Sequence, residues 1–211
     1  MCIRDSINLF YLHLQVSGIS QSGKTVFTRK IIENRDKLIY PVPLEVYVCY
    51  AEYQDAYSEL AKDSKIKFIQ GLDFKIEDAT TPKLIVIDDM MTSSSKNKNV
   101  QELFIRGVHH TNTSVIFITQ NIFNQGKYAR DMRLNTHYLA IFRSPTFMSQ
   151  VSHLGRQLMP HKKNFILEAY KDATQTLYSY VLLILHPCCS DMLRVRTGIL
   201  PGELPIVYIP E

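Results

Sequence analysis

The sequence predicts an α/β fold of three layers, a mostly parallel central sheet with helices on both faces. Three observations predict it. Short, continuous aliphatic runs recur, such as LIVI at 84–87 and VIFI at 115–118, and strands read this way when neither face meets water. Helix-compatible stretches separate these runs, so strand and helix alternate along the chain. Between the first apolar run and the first helix lies a glycine-bearing loop, GISQSGKT at 18–25.

The elements follow in order. Residues 9–16 (LFYLHLQV) are mostly apolar and predict a buried strand. Residues 24–34 contain no Pro or Gly, and Val26, Phe27 and Ile31 give them an apolar helical face. Pro41 and Pro43 mark a loop, after which 44–50 (LEVYVCY) is β-branched and aromatic, as in a strand. Residues 52–62 are helix-compatible, and a short strand at 66–69 ends at Gly71. Pro82 breaks the chain before the run at 84–87, which closes on Asp88 and Asp89. Residues 92–99 (TSSSKNKN) are loop-like, and Val100, Leu103, Phe104 and Val108 then fall at helical spacing. A buried strand at 114–119 is closed by Gln120. Residues 121–135 are polar and basic, and 137–142 is a further strand. The remainder predicts a helix at 147–158, strand-like pieces near 165–170 and 177–185, and a Pro/Gly-rich tail from Pro201.

The loop carries the chemistry. Gly18, Ile19, Ser20, Gln21, Ser22, Gly23, Lys24 and Thr25 satisfy G-x-x-x-x-G-K-[ST] at every fixed position. The glycines let backbone N–H groups wrap a triphosphate without a Cβ in the way. Lys24 sets a positive charge against the β and γ oxygens, and Thr25 offers a hydroxyl to Mg²⁺. The strand–loop–helix order adds the free N–H groups and dipole of a helix N-terminus. ATP and Mg²⁺ are therefore the expected ligands.

Asp88 stands at the end of an aliphatic strand, where sheets of this kind bind ligands. As a hard oxygen donor it is assigned to Mg²⁺ through the ion's water shell. Asp89 is assigned to the water that attacks the γ-phosphate. Adjacent aspartates alone also occur in surface turns, and the loop at 18–25 is what gives this pair its meaning. Gln120, at the end of the next strand, is the candidate γ-phosphate sensor, provided that strand inserts beside the one preceding the loop. The alternative is a glutamine that merely begins a turn.

The totals bound the rest. A chain of 211 residues supports one core, so 1–211 is read as a single domain, with 1–7 as disordered or non-native and 201–211 as a tail. Net charge is +4, which permits a polyanionic partner without requiring one. Four cysteines, Cys2, Cys49, Cys188 and Cys189, are too few and too irregular for a disulfide framework. His186 with Cys188 and Cys189 lacks a second ligand pair for zinc, so reduced thiols in an intracellular compartment are expected. Residues 177–185 are far too short to span a bilayer, and no membrane association is expected.

GISQSGKT, CYAEYQ (49–54), LIVIDDMM (84–91), HHTNTSVIFITQN (109–121) and RVRTGILPGELP (194–205) together resemble a viral genome-packaging ATPase. The similarity is to those of Polinton/Maverick elements and adintoviruses, within the FtsK–HerA superclass, and it covers the chain from about residue 9. The resemblance implies a P-loop NTPase of RecA-like architecture. It also implies a homo-oligomeric ring that threads double-stranded DNA into a capsid, independently of sequence, in a virus-infected cell. Carried over, residues 18–25 are the nucleotide cradle, with Lys24 catalytic. Asp88 is then the magnesium residue, Asp89 the base and Gln120 the sensor. Many members have Glu where Asp89 stands, one methylene longer, and Glu52, at the end of the 44–50 strand where some RecA-type enzymes place their base, is the second candidate. An arginine from a neighbouring subunit is implied, with Arg130, Arg133, Arg143 and Arg156 as candidates. Lys127, Arg130 and Arg133, and separately Lys96 and Lys98, are the candidate DNA contacts, although polar loops with a few basic residues are commonly just solvated. His109 and His110 are read as a helix end.

Two other functions also use such a loop. One is a small-molecule or nucleotide kinase, for which a lid and an acceptor segment are not evident. The other is an ATP-dependent switch or assembly factor with little turnover.

Overall fold

The computed structural model describes residues 9–72, 80–88, 112–123 and 129–210. The predicted helix from Val100, together with Asp89, Lys96, Lys98, His109, His110 and Lys127, lies outside the described residues. The strands are β1 (Leu9–Phe10), β2 (His13–Ser17), β3 (Ile39–Tyr40), β4 (Glu45–Tyr50), β5 (Ile66–Gln70), β6 (Lys83–Asp88) and β7 (Thr113–Thr119). They continue with β8 (Tyr138–Phe142), β9 (Tyr180–Ile184), β10 (Val195–Thr197) and β11 (Ile206–Tyr208). The helices are α1 (Lys24–Glu33), α2 (Arg35–Leu38), α3 (Ala129–Leu134), α4 (Met148–Leu158) and α5 (Phe165–Ala173).

Nine strands form one sheet in the order β11-β10-β9-β8-β2-β7-β6-β4-β5. From β5 to β8 every pairing is parallel, and from β8 to β11 every pairing is antiparallel. All five residues of β2, all six of β6 and all seven of β7 are buried, which is why their sequences run continuously apolar rather than alternating. Alternate residues serve different faces. Leu14, Val16, Leu84, Val86, Ile116 and Ile118 pack with Phe27, Ile31 and Ile32 of α1. On the opposite face Leu139, Ile141, Val181 and Leu183 meet α4 and α5, while Ile85, Ile87, Val115 and Phe117 meet Met132 of α3. Helices thus cover both faces, and the predicted three layers are present.

Five local expectations are corrected. The run at 9–16 is two strands, because Tyr11 adopts a left-handed φ of 39° and sends β1 away to pair with β3. Residues 52–62 form two 3₁₀ turns, Asp55–Tyr57 and Leu60–Lys62, rather than a helix. Their buried residues Tyr57 and Leu60 are three apart, matching three residues per turn. The piece at 165–170 is the start of α5, not a strand. Its buried set Ile166, Ala169, Tyr170 and Ala173 has helical spacing that extends past the apolar window. The segment at 121–135 contains α3, where Met132 is the one buried hydrophobic among the residues whose burial is described, too little for a periodic signal. The tail from Pro201 also holds β11, which pairs with β10 in the register Arg196↔Val207. No helix among the described residues is long and apolar enough to cross a membrane.

Cys49, fully buried in β4, has its thiol pushed up to about 12 by burial. A raised thiol pKa keeps the reactive thiolate scarce below that pH. At pH 8 a thiol reagent should therefore modify exposed Cys188 in the native protein and reach Cys49 only after denaturation. Mass-spectrometric mapping of labelled peptides checks this.

Candidate functional site

The parallel register fixes which chain ends meet. Tyr50 pairs with Asp88, Asp88 with Ile118, and Thr119 with Ser17. The carboxyl ends of β4, β6, β7 and β2 therefore finish at one edge, and Phe142 of β8 ends there too, opposite Tyr180 of β9. The phosphate loop leaves β2 at this edge, where the Gly18 N–H donates to the Thr119 carbonyl at 3.2 Å.

The loop has the conformation its glycines predict. Gly23 takes φ 100° and Gln21 φ 62°, both left-handed. A Cβ at Gly18 would collide with Ser22 Oγ and stand 2.9 Å from Phe142 Cβ, below ordinary contact. Gly23 caps α1, whose first turn holds no acidic residue, so the positive end of the helix faces the loop without a neutralising carboxylate. Lys24 is 8% exposed and donates from Nζ to the Ile19 carbonyl at 2.8 Å, folding the loop over its own ammonium. Ser22 Oγ is buried without a hydrogen-bond partner among the described residues. One ammonium, two hydroxyls and a helix N-terminus suit a phosphate chain.

Asp88 is 3% exposed. Its Oδ2 accepts from the Tyr57 hydroxyl at 2.7 Å and from Gln54 Nε2 at 3.2 Å. Burial, and then the adjacent Asp88 carboxylate, push the Tyr57 hydroxyl far above the ordinary tyrosine range, so it stays a donor. These two residues fix the carboxylate's orientation from the turn after β4. Asp88 and the Thr25 hydroxyl, both hard oxygen donors, fit Mg²⁺.

Gln120 is exposed, one residue beyond β7 and beside the start of the phosphate loop. Its turn is fastened from below. Buried Gln15 of β2 donates from Nε2 to Ser17 Oγ at 2.9 Å and to the Ile122 carbonyl at 2.9 Å. The Asn121 N–H donates to Thr119 Oγ1 at 3.2 Å.

A cleft of about 550 Å³ opens over the loop. One wall is the loop with the first turn of α1, and the other is Phe142, Tyr178, Tyr180, Leu200 and Glu203. Tyr180 donates its hydroxyl to Glu203 Oε2 at 2.6 Å, and burial together with that carboxylate raises its pKa strongly. Gln54 and Ala56 line the cleft as well, whereas Glu52 is exposed and does not.

Among the candidate arginines, Arg143 stands at the nucleotide edge, exposed, with Nη1 donating to the Gln175 carbonyl at 3.1 Å. Arg130 and Arg133 are exposed on α3 and Arg156 on α4. Sequence reasoning missed Tyr57, Gln54, Tyr178, Tyr180 and Glu203. Gln54 was within reach of inference, since it follows a strand expected to end near Asp88. The C-terminal residues were not, because their position depends on antiparallel pairing that has no local signature.

No family model and no curated protein matches the sequence. Among solved structures, the fold is similar to the genome packaging NTPase B204 from Sulfolobus turreted icosahedral virus 2 in complex with ATP-gammaS. That likeness has a TM-score of 0.55 and 13% identity, covering 96% of this chain and 98% of that one. B204, the DNA-packaging ATPase from Sulfolobus turreted icosahedral virus, gives 0.51 and 13% over 98% of this chain and 100% of that chain. The cytoplasmic domain of the type VII secretion ATPase EccC from Thermomonospora curvata gives 0.55 and 12%, covering 93% of this chain and 25% of its own. The fold is that of the three-layer, RecA-like P-loop ATPases.

Replacing Tyr57 with Phe removes a hydrogen bond to a buried carboxylate. Bonds to charged groups contribute about 1.5–3 kcal/mol, so Tyr57→Phe should lower stability by about that much in urea denaturation. An unchanged midpoint would show that Tyr57 does not hold Asp88.

Proposed function

We propose that this protein is an ATP-hydrolysing double-stranded DNA translocase, a ring-forming motor that packages a viral or transposon-borne genome into a capsid. The observation that carries the hydrolytic part is the insertion of β7 between β2 and β6, which brings Gln120 to the phosphate loop beside Asp88. The DNA part is supported by the full-length fold similarity to a genome packaging NTPase, and by the sequence resemblance to Polinton- and adintovirus-type enzymes.

Each residue then has a proposed role. Backbone N–H groups of residues 18–25 cradle the phosphates, and the Lys24 ammonium leaves Ile19 for the β and γ oxygens. Thr25 and Asp88 would hold Mg²⁺, which when bound offsets phosphate charge. Asp89 orients the attacking water and takes its proton, with Glu52 as the second candidate. Gln120 contacts the γ-phosphate and reports its loss through the turn fastened by Gln15. Arg143, at the nucleotide edge, is the arginine best placed to serve a neighbouring subunit's site or to sense its own. Arg130 and Arg133 present positive charge on α3 for sequence-independent contact with the DNA backbone.

ATP turnover measured with and without double-stranded DNA tests this reading. Lys24→Ala should reduce kcat by about 10²–10³-fold, the usual loss for a removed charge-stabilising group. Gln120→Ala should lower kcat with little change in KM, and DNA should stimulate the wild type. Turnover of an assembled ring that ignores DNA would exclude a translocase. Phosphate transfer to a small acceptor would indicate a kinase instead.

A further inference from the structure

The phosphate loop accounts for one wall of the cleft. The opposite wall is mostly aromatic, with Phe142, Tyr178 and Tyr180 beside Leu200 and Glu203. Tyr178 is its most unusual member. Its side chain is 67% exposed, yet its backbone takes a left-handed φ of 63°, a conformation uncommon for a bulky residue. The surrounding turn is tied down at several points. Ser179 Oγ donates to the Thr176 carbonyl at 2.6 Å, Arg143 N–H donates to the Ser179 carbonyl at 3.3 Å, and Arg143 Nη1 donates to the Gln175 carbonyl.

This backbone aims the ring at the loop. A Cβ added to Gly23 would lie 3.2 Å from Tyr178 Cδ1 and 3.3 Å from Tyr178 Cβ, so the aromatic packs directly above the glycine that caps α1. Val26, 43% exposed on the first turn of α1, lines the same cleft. Beneath them Phe27, Phe142 and Tyr180 form a packed cluster, with ring centroids 4.6–5.5 Å apart. The floor is thus buried, closely packed and largely apolar beside a phosphate cradle that is polar. An exposed ring held in a costly conformation, one step from a triphosphate site, has the character of a stacking platform.

We infer that Tyr178 stacks against the base of the bound nucleoside triphosphate, with Val26 and the Phe142–Tyr180 floor completing an apolar slot for that base. The inference rests on the nucleotide reading above. It makes the second wall of the cleft a specificity element, separate from the phosphate-holding residues. The tyrosine hydroxyl plays no part in stacking, so the ring alone is required.

Calorimetric binding of ATP and of tripolyphosphate, each with Mg²⁺, separates the two walls. Tyr178→Ala should weaken ATP by about tenfold, within the range for loss of one base–aromatic stack, and leave tripolyphosphate unchanged. Tyr178→Phe should bind both like the wild type. Lys24→Ala should weaken both ligands. ATP affinity unaltered by Tyr178→Ala, or an equal loss for both ligands, would overturn the base assignment while leaving the phosphate site standing. A wild type that binds neither ligand would overturn the nucleotide reading itself. The chain contains no tryptophan, so Tyr178→Trp installs a single reporter at the slot. Its emission should change on adding ATP and not on adding tripolyphosphate, and an emission indifferent to ATP would refute stacking.

Discussion

Strand β2 is hydrogen-bonded on both sides, to β7 and to β8, and every one of its residues is buried. Its register leaves no freedom in where the following loop begins, since a slip of one residue would exchange core and opposite faces along the whole strand. Gly18 is thereby delivered beside the Thr119 carbonyl, and α1 starts six residues later against the same face. The positions of Lys24, Thr25 and Gln120 are consequences of this pairing. So is the placement of Asp88, which reaches the edge because β6 keeps the same parallel register with β7.

Around that frame, polar side chains do work that apolar packing cannot. A carboxylate as buried as Asp88 requires hydrogen-bond partners. Tyr57 and Gln54 supply them from a short 3₁₀ segment whose own burial anchors the tyrosine ring. Gln15 has the same function beneath the Gln120 turn, joining β2 to the chain after β7 through the Asn121 and Ile122 carbonyls. Both devices tie a strand to the segment that follows a neighbouring strand or to that neighbour's end.

Much of this was legible in the residues alone. The aliphatic runs at 84–87 and 115–118 identify doubly covered strands because their hydrophobicity is local and continuous. The phosphate loop is legible because its chemistry dictates residue type at fixed spacing. Tyr57 escaped notice because a buried tyrosine in a 3₁₀ turn resembles any other aromatic until β4 and β6 are paired. The segment at 165–170 deceived through composition, as FILEAY is apolar enough for a strand while its helical face shows only when Ala173 is included. The aromatic wall at Tyr178 and Tyr180 was the least accessible. Its partners Phe27 and Phe142 lie far away in the chain, and only the antiparallel return of β9 along β8 brings them together.

That antiparallel return also orders events during synthesis. The loop wall of the cleft comes from residues 21–27, and most of the facing wall, Tyr178, Tyr180, Leu200 and Glu203, follows much later in the sequence. A ribosome releases the first wall long before the second exists, and domains are assembled as units while the chain emerges. The cleft is complete only once β9 and the segment after β10 are in place. A molecule held between its walls would join segments far apart in the sequence, acting as a removable fastener between them. Occupancy would then slow local opening of the C-terminal strands as well as of the loop, by the mass-action linkage that binding imposes on folding.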